Sequence, residues 1–382
     1  GPSGLDLAAD VTPGPDLADA PDDEPTDHGE DLTAAPLPEL DADEDGFTDV
    51  AVPELASSAR DEARPPWSES PWRWEPTGEE VRCCNALATG VDIVAAAGHG
   101  VLWLVTPRAA PERSIADARV TSLALVGPAP TLALAVTAGG PVLRVGRDGT
   151  MTRCESWRAA ARATGSAATL ELCTLAGGLT SAVVARASNG VLLRSDDAGR
   201  TWEHLELGGQ VVALGGGVDS PLALVRTATG VLLARGSHDG STWIGRPLPP
   251  VAVPLCGGEG PLVAGVDSCV LVSNADLGVA LSTDGGTSYR HLPGLAGATA
   301  LAVGRLGGRP AAWLALYAEA DEATDLVFLD LDQEQPLRVA RVSASDPDAA
   351  GARLIALAWD DEAGRLWAAG EIGVGAFSPP RQ

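Results

Sequence analysis

Alternating carboxylates near the N-terminus have the spacing of a calcium-binding loop. Asp41, Asp43, Asp45 and Asp49 surround Gly46 in the pattern D-x-D-x-D-G-x-x-D. Carboxylate oxygens on alternate residues can converge on one Ca²⁺ ion, and glycine permits the sharp turn between them. The twelfth position, which is a bidentate glutamate in an EF-hand, is a valine here. The segment is therefore either a weak Ca²⁺ site or an acidic stretch that matches by chance, and no other cofactor is predicted.

Three polar segments place serine, aspartate, glycine and an aromatic residue in one recurring order. They are Ser195, Asp197, Gly199 and Trp202; Ser237, Asp239 and Trp243; and Ser282, Asp284, Gly286 and Tyr289. The aspartate in such a turn can accept hydrogen bonds from backbone N–H groups, and glycine adopts positive φ without a steric penalty. We therefore interpret these residues as structural parts of hairpin turns. A ligand-binding or catalytic role for the aspartates is the alternative.

Residue types needed for other chemistry are scarce. All 26 cationic residues are arginine, which excludes a lysine Schiff base and a P-loop lysine. The five histidines are scattered, with no pair at metal-ligand spacing. A net charge of −26 opposes binding to a nucleic-acid backbone or an anionic membrane. No apolar run approaches the roughly 18–20 residues that span a bilayer. The sequence thus predicts no enzyme, no nucleic-acid partner and no transmembrane segment.

Six cysteines include two local pairs that predict disulfide bonds. Cys154 and Cys173 flank a short helix-like segment at 155–164, and Cys256 and Cys269 flank a glycine-rich turn between predicted antiparallel strands. An even number of cysteines with local partners favours an oxidising compartment. The alternative is a set of small buried thiols in a cytoplasmic protein.

The elements that must position these turns repeat along the chain. A short apolar run, usually preceded by glycine, recurs at intervals of 40 to 50 residues. Its copies begin at Gly100, Gly140, Gly190, Gly230, Gly278, Asp325 and Gly373. Two more strand-like runs precede most copies and another follows several of them. Four strands per repeat of roughly 45 residues predict an all-β fold, a seven-bladed β-propeller.

The first 65 residues differ in composition from the rest of the chain. They hold 19 acidic residues against two arginines, a net charge of −17 that leaves −9 for residues 66–382. Sparse apolar residues and like charges predict a disordered acidic, proline-rich tail that acts as a tether. Residues 66–382 form the predicted propeller. Its last unit has room for only three strands, so the segment at 71–76, with Trp72 and Trp74 on either side of Arg73, is predicted to add the closing strand.

The turns and their spacing together resemble a known repeat. The pattern S-x-D-x-G-x-T/S-W/Y at 195–202 and 282–289, with a shortened copy at 237–243, resembles the Asp-box (BNR) repeat of sialidase-like propellers. More distantly, the chain is similar to photosystem assembly-factor propellers. In the Asp-box family these turns are structural and lie away from the active face. The carboxylates at 41–49 similarly resemble the calcium loops of thrombospondin type 3 repeats.

The same resemblance allows the enzymatic members to be compared with this chain. Sialidases use a tyrosine nucleophile assisted by a glutamate, an acidic general acid/base, and three arginines that bind the substrate carboxylate. Only two tyrosines occur here, and Tyr289 fills the aromatic position of an Asp-box. Tyr317 is the remaining candidate, and the arginine motif expected before the first Asp-box is not evident. We therefore expect a non-enzymatic member.

Together these features favour a monomeric protein-binding scaffold that uses the loops on a propeller face. An arginine-rich, lysine-free composition with abundant glycine suggests a high-GC bacterium. The acidic tail and the predicted disulfides favour a periplasmic, cell-surface or secreted location, with the cytoplasm as the alternative. A carbohydrate-binding or sialidase-like glycoside-cleaving propeller is the alternative function.

Overall fold

Twenty-eight strands form seven four-stranded antiparallel sheets in the described part of the chain. The computed structural model describes residues 64–77, 84–90, 93–98, 101–105, 112–115, 120–126, 132–137, 141–146, 150–154, 156–162, 172–177, 182–216, 220–257, 261–343 and 352–380. The predicted calcium residues and most of the predicted tail lie outside these ranges. None of the helices in these ranges is long and apolar enough to cross a bilayer.

Each sheet is built from strands that follow one another in the sequence, except the last, which takes its outer strand from the N-terminal side. Sheets 1 to 4 comprise β2 (Cys84–Gly90), β3 (Ile93–Gly98), β4 (Val101–Val105) and β5 (Glu112–Ile115); β6 (Val120–Val126), β7 (Leu132–Thr137), β8 (Val142–Gly146) and β9 (Met151–Cys154); β10 (Leu172–Gly177), β11 (Val183–Ala187), β12 (Leu192–Ser195) and β13 (Glu203–Leu205); and β14 (Gln210–Gly216), β15 (Pro221–Thr227), β16 (Gly230–Gly236) and β17 (Trp243–Pro247). Sheets 5 to 7 comprise β18 (Leu262–Val266), β19 (Cys269–Asn274), β20 (Gly278–Ser282) and β21 (Arg290–Leu292); β22 (Ala298–Leu306), β23 (Arg309–Ala318), β24 (Ala323–Asp330) and β25 (Gln335–Ser343); and β26 (Leu354–Asp360), β27 (Arg365–Gly370), β28 (Gly373–Ser378) and β1 (Arg73–Pro76). The helices of the described residues are α1 (Trp157–Arg162) and two 3₁₀ helices, Val253–Cys256 and Glu319–Asp321.

The core lies between the sheets rather than inside any one of them. Each hydrophobic cluster of the described residues joins two sheets that are neighbours in the sequence. A further cluster joins sheet 7 to sheet 1 through Trp367 and Ala96. The sheets therefore close into a ring, and each buries both of its faces against neighbours, as the near-continuous apolar sequences of β19 and β20 require.

The repeated apolar run of the sequence is the third strand of each sheet. The connections between strands lie on two opposite faces of the ring. Consecutive strands are antiparallel, so connections alternate between the two ends of each sheet. The first-to-second and third-to-fourth connections lie on one face, which we call the turn face because it holds the three serine–aspartate turns. The second-to-third connections and the links between sheets lie on the other, which we call the crossover face.

The chain segment before sheet 1 contacts both of the last two sheets. Residues 73–76 pair antiparallel with 375–378 as the outer strand of sheet 7, with Trp74 opposite Phe377. Just upstream, Ser68 N donates to Arg338 O and Arg338 N donates to Pro66 O, both at 2.8 Å. Residues 66–68 thus lie parallel along the outer edge of β25. Arg64, which the composition assigned to the tail, also contacts sheet 6.

The predicted disulfide between Cys256 and Cys269 is wrong, because the two thiols lie on opposite sides of sheet 5. Cys256 ends a 3₁₀ helix packed between sheets 4 and 5, whereas Cys269 belongs to the core between sheets 5 and 6. The antiparallel partner of β19 is β18, with Val266 opposite Cys269. Cys154 also carries a free thiol, so the predicted bond to Cys173 is wrong as well. The side chain of Cys173 lies outside the described residues.

Thiol labelling of the folded protein at pH 8 is expected to leave Cys256 and Cys269 unreacted. Burial raises the pKa of the Cys256 thiol to about 12, and burial is also the main cause that raises the pKa of Cys269. The thiolate is the reactive form, so both thiols are protonated at pH 8. Mass spectrometry after labelling should find both modified only in denaturant, whereas the half-buried Cys154 serves as the accessible reference. Labelling of folded Cys256 as fast as Cys154 would contradict this prediction.

Candidate interaction surfaces

The three serine–aspartate turns of the turn face satisfy their own polar groups. Asp197 Oδ1 accepts hydrogen bonds from Ser195 Oγ at 2.8 Å and from the backbone N–H groups of Arg200 and Thr201 at 2.9 Å. Ser195 Oγ in turn accepts the buried N–H of Gly199 at 2.8 Å. The turns at 237–243 and 282–289 repeat the serine-to-aspartate bond. The carboxylates are thus engaged inside their hairpins, as expected for structural turns.

Each of these turns is also held by an arginine of the preceding sheet. Arg144 Nε donates to Ala198 O and Arg194 Nε donates to Asp239 O, both at 2.9 Å. Arg246 Nη1 donates to Thr287 Oγ1 at 3.0 Å. The aromatic residues at the ends of the turns pack into the cores shared with the same preceding sheets. The turns therefore connect neighbouring sheets as well as neighbouring strands.

Replacing Ser195 with alanine is expected to lower the free energy of unfolding by about 1–3 kcal/mol. The change leaves the buried N–H of Gly199 without its acceptor, and Ser195 itself is 2% exposed. Thr201→Ala is the matched control, because it also removes a hydroxyl donor to Asp197 but at an exposed position. Urea unfolding measures both. Equal losses of stability in the two variants would contradict this prediction, because they would show that the buried Gly199 N–H adds nothing beyond the hydroxyl bonds to the Asp197 carboxylate.

Acid is expected to weaken the ring through the same turns. Hydroxyl groups of Ser237 and Ser241 lower the pKa of Asp239. Burial raises the pKa of Asp197, but hydrogen bonds from Thr201, Ser195 and Arg200 outweigh it, so the net pKa lies below 3.8. A carboxyl whose pKa is lower in the folded state gives its full stabilisation above pH 3.8 and loses it as the pH falls through the folded-state value.

The urea midpoint of the unmodified protein should therefore fall more steeply below pH 4 than that of a variant carrying Asp197→Asn and Asp239→Asn. Asp196→Asn, at an exposed neighbouring position, is the control and should keep the steep profile. Parallel profiles for the double variant and the unmodified protein would show that other carboxyls cause the acid sensitivity.

A cleft of about 540 Å³ opens on the turn face between sheets 4 and 5. We call it the β17 cleft; its lining includes Leu233, Arg235, Ile244, Arg246, Asp267 and Asp284. Ile244 is 72% exposed, more than either of the other exposed large apolar side chains of the described residues, Trp67 at 44% and Val251 at 39%. Exposed apolar groups beside a concave surface are typical of binding sites.

The aspartates of the β17 cleft have partners within the chain, whereas its arginines lack carboxylate partners. Asp267 Oδ1 pairs with Arg305 Nη2 at 2.5 Å, and Asp284 is held by its own turn. Arg235 donates Nη1 to Asp267 O at 2.9 Å, but its buried Nη2 has no hydrogen-bond partner among the described residues. No carboxylate of the described chain forms an ion pair with Arg235 or Arg246. The cleft therefore offers positive charge to a ligand.

A second charged cluster lies where residues 64–68 cross sheet 6. Asp325, with a side chain 5% exposed, lies 3.2 Å from Arg64 Nη1 and 3.6 Å from Arg338 Nη1 through Oδ2, and 3.8 Å from Arg341 Nε through Oδ1. Arg341 Nη2 also bonds the exposed Asp321 at 2.7 Å, and this hydrogen bond is the main cause that lowers the pKa of Asp321. The arginines here are already matched with internal carboxylates.

Tyr317, the one tyrosine left as a catalytic candidate, lines a small cavity beside this cluster. The cavity holds about 30 Å³, the space of one water molecule. The guanidinium of Arg353 lies 5.8 Å from the tyrosine ring. Tyr289 packs in the core shared by sheets 4 and 5, and burial raises the pKa of its hydroxyl. Within the described ranges, no three histidine, cysteine or acidic side chains meet as a metal site requires.

Comparison with known proteins bears on the fold. No protein-family model matches the sequence, and no curated protein is significantly similar to it. Among solved structures 1134 chains are significantly similar. One is the crystal structure of the N-terminal domain of Nup159, with 12% identity and a TM-score of 0.55 over 83% of this chain and 98% of that one. The fold is a β-propeller. The prediction of an all-β propeller is confirmed, and at this identity the likeness shows the fold alone.

The residues of the β17 cleft were not found by sequence reasoning. Arg235, Ile244 and Arg246 stand in ordinary strand sequence around a turn that was assigned a structural role. The local signal was the strand Trp-Ile-Gly-Arg-Pro at 243–247, which combines an apolar residue, a glycine and an arginine without a second apolar neighbour on the same face. Only the packing of sheet 5 against sheet 4 turns those side chains into a cleft.

Proposed function

We propose that this chain is a non-enzymatic, protein-binding scaffold, a seven-bladed propeller of the Asp-box type that holds a segment of a partner protein in the β17 cleft. The observation that carries the proposal is the exposed Ile244 beside two guanidinium groups without carboxylate partners, at a cleft large enough for several side chains. Interface cores favour apolar anchors and arginine in this combination. The rigid ring supplies the fixed geometry.

The contacts around Tyr317 favour binding over glycoside cleavage. A monosaccharide needs far more room than the one-water cavity beside this tyrosine. Arg64, Arg338 and Arg341, which could otherwise bind a substrate carboxylate, surround Asp325 instead. The carbohydrate alternative therefore has less support than a protein partner.

We also propose that the protein is a monomer that is exported and held at a cell surface. The proposed location now rests on the acidic N-terminal composition. The free thiols of Cys154, Cys256 and Cys269 remove the disulfide argument for an oxidising compartment. Calcium binding at 41–49 stays a prediction from spacing, outside the described residues.

Site-directed photo-crosslinking tests the proposed function. A benzophenone amino acid replaces Ile244 in the full chain, and the same group at the exposed Thr152 of β9 is the control. After incubation with extract of the source cells, a partner protein should be crosslinked from 244 and not from 152, and should bind again when purified. A glycan array is run in parallel. Specific glycan binding without a crosslinked protein would overturn the proposal.

A further inference from the structure

The outer edge of β17 presents backbone groups that no described residue pairs with. Leu248 N donates to Val231 O at 2.8 Å, and Ser237 N donates to Thr242 O at 2.7 Å. Hydrogen-bonded and non-hydrogen-bonded pairs alternate along an antiparallel ladder, so Ile244 and Arg246 direct their backbone groups inward to β16. The backbone groups of Trp243, Gly245 and Pro247 consequently face outward. A strand edge of this kind is a template for another extended chain.

Side chains on this edge leave room for such a chain. Ile244 and Arg246 both project to the β17 cleft, since alternate residues share one face of a strand. Gly245 between them has no side chain, a feature found where another backbone approaches closely. Four of the five residues of β17 are exposed. A strand added here would place its own alternate side chains over Ile244 and next to Arg246.

Another outer edge of the same ring already accepts an extended segment. Residues 66–68 lie along β25 through two backbone hydrogen bonds of 2.8 Å. Trp67 of this segment packs its ring over the Arg338 guanidinium, 4.4 Å from the ring centroid. This molecule therefore already contains one extended segment that binds a strand edge through backbone hydrogen bonds and packs an apolar side chain on an arginine.

We propose that β17 binds an extended segment of a partner protein as an added strand, in which an apolar residue and an acidic residue stand two positions apart and so share the face toward the β17 cleft. The apolar side chain packs on Ile244, and the carboxylate pairs with Arg246, which is exposed and lines the cleft. This assignment rests on the proposed function and names the chemistry of its partner. Backbone pairing supplies affinity in such complexes, and the alternate side chains supply specificity.

The blocked heptapeptide Thr-Val-Thr-Glu-Thr-Val-Thr, which carries valine and glutamate on one face, is the probe, labelled with a fluorophore and titrated with the full chain by anisotropy. We call it the valine–glutamate peptide, and the same peptide with lysine in place of glutamate is the valine–lysine peptide. The valine–lysine peptide should bind at least about tenfold more weakly, the loss of one favourable charge contact of about 1.4 kcal/mol. Methylation of the peptide nitrogens that would pair with β17 should weaken binding by a similar factor. Equal binding of the methylated peptide would overturn strand addition, and equal binding of the lysine peptide would overturn the charge assignment.

Variants of the chain test the same contacts from the other side. Arg246→Gln should weaken binding of the valine–glutamate peptide about tenfold, whereas Arg73→Gln, at an exposed arginine on the outer strand β1, should leave it unchanged. Gly245→Pro removes an outward N–H, and Gly245→Ala keeps it. Where the proline variant does not fold, the methylated peptide decides the point. Unchanged binding by Arg246→Gln would contradict the proposal.

A second copy of the chain is the competing occupant of this edge. Analytical ultracentrifugation that finds a dimer, and finds it lost in Ile244→Asp, would overturn the proposal in favour of self-pairing. A partner crosslinked from residue 244 that binds equally well to Arg246→Gln and Gly245→Pro would preserve the proposed function and reject strand addition. The two failures are thereby distinguished.

Discussion

Replacing Trp72 with alanine is expected to lower the free energy of unfolding by about 3–5 kcal/mol, as for other large-to-small changes of buried aromatic residues. Trp72 is 8% exposed and lies between sheets 6 and 7, with its ring centroid 6.4 Å from those of Trp313 and Trp359 and 6.3 Å from that of Phe328. Trp313 and Trp359 stack at 4.0 Å. Removal of Trp72 leaves a cavity in the core between sheets 6 and 7.

Trp67→Ala is the control for this prediction. Trp67 is 44% exposed and packs mainly on Arg338, so its loss should cost about 1 kcal/mol or less. A chain that begins at residue 78 should be less stable still than Trp72→Ala, because it also lacks β1, whereas a chain that begins at residue 66 keeps both. Equal urea midpoints for the two shortened chains would show that residues 66–77 do not close the ring.

Replacing Asp325 with asparagine is expected to lower the free energy of unfolding by about 3 kcal/mol, because it removes the buried carboxylate that pairs with the mostly buried Arg338. Arg64, Arg338 and Arg341 all converge on this carboxylate, whose side chain is 5% exposed. The measurement is the urea midpoint at pH 7. The loss should exceed that of any single change in the serine–aspartate turns.

Asp321→Asn is the matched control within the same cluster. Its side chain is 45% exposed although it contacts two of the same arginines. Exposed ion pairs contribute about 0–1 kcal/mol, so this variant should unfold close to the unmodified protein. An equally large effect at both positions would mean that net charge, rather than burial, determines the stability of the cluster.

Contacts between residues close in sequence were predictable. The serine–aspartate turns form within eight residues, so their spacing alone specifies which hydroxyl and which N–H groups reach the carboxylate. The period of the apolar runs placed the third strand of every sheet, since strands that bury both faces read as continuous apolar sequence. The short helix α1 also lies inside the segment expected to be helical.

The cysteine pairs show where the same reasoning failed. Cys256 and Cys269 are 13 positions apart, and the intervening glycines were interpreted as a single hairpin turn. The structure inserts the whole strand β18 between them, so the two thiols face different cores. The sequence did not reveal on which side of sheet 5 each cysteine lies. Cys256 ends a 3₁₀ helix, and such a short helix has no repeating pattern of apolar residues that would indicate its buried side.

The amino-acid sequence by itself determined the repeat, the chemistry of its turns and the all-β propeller, since each depends on hydrogen bonds and side-chain alternation within one unit. The tertiary structure decided the rest. Asp325 meets Arg64 across 261 positions, and the β17 cleft combines side chains from two sheets. Such juxtapositions depend on how neighbouring sheets rotate and pack against each other. That geometry arises from the buried surfaces of the whole ring and leaves no local pattern in the chain.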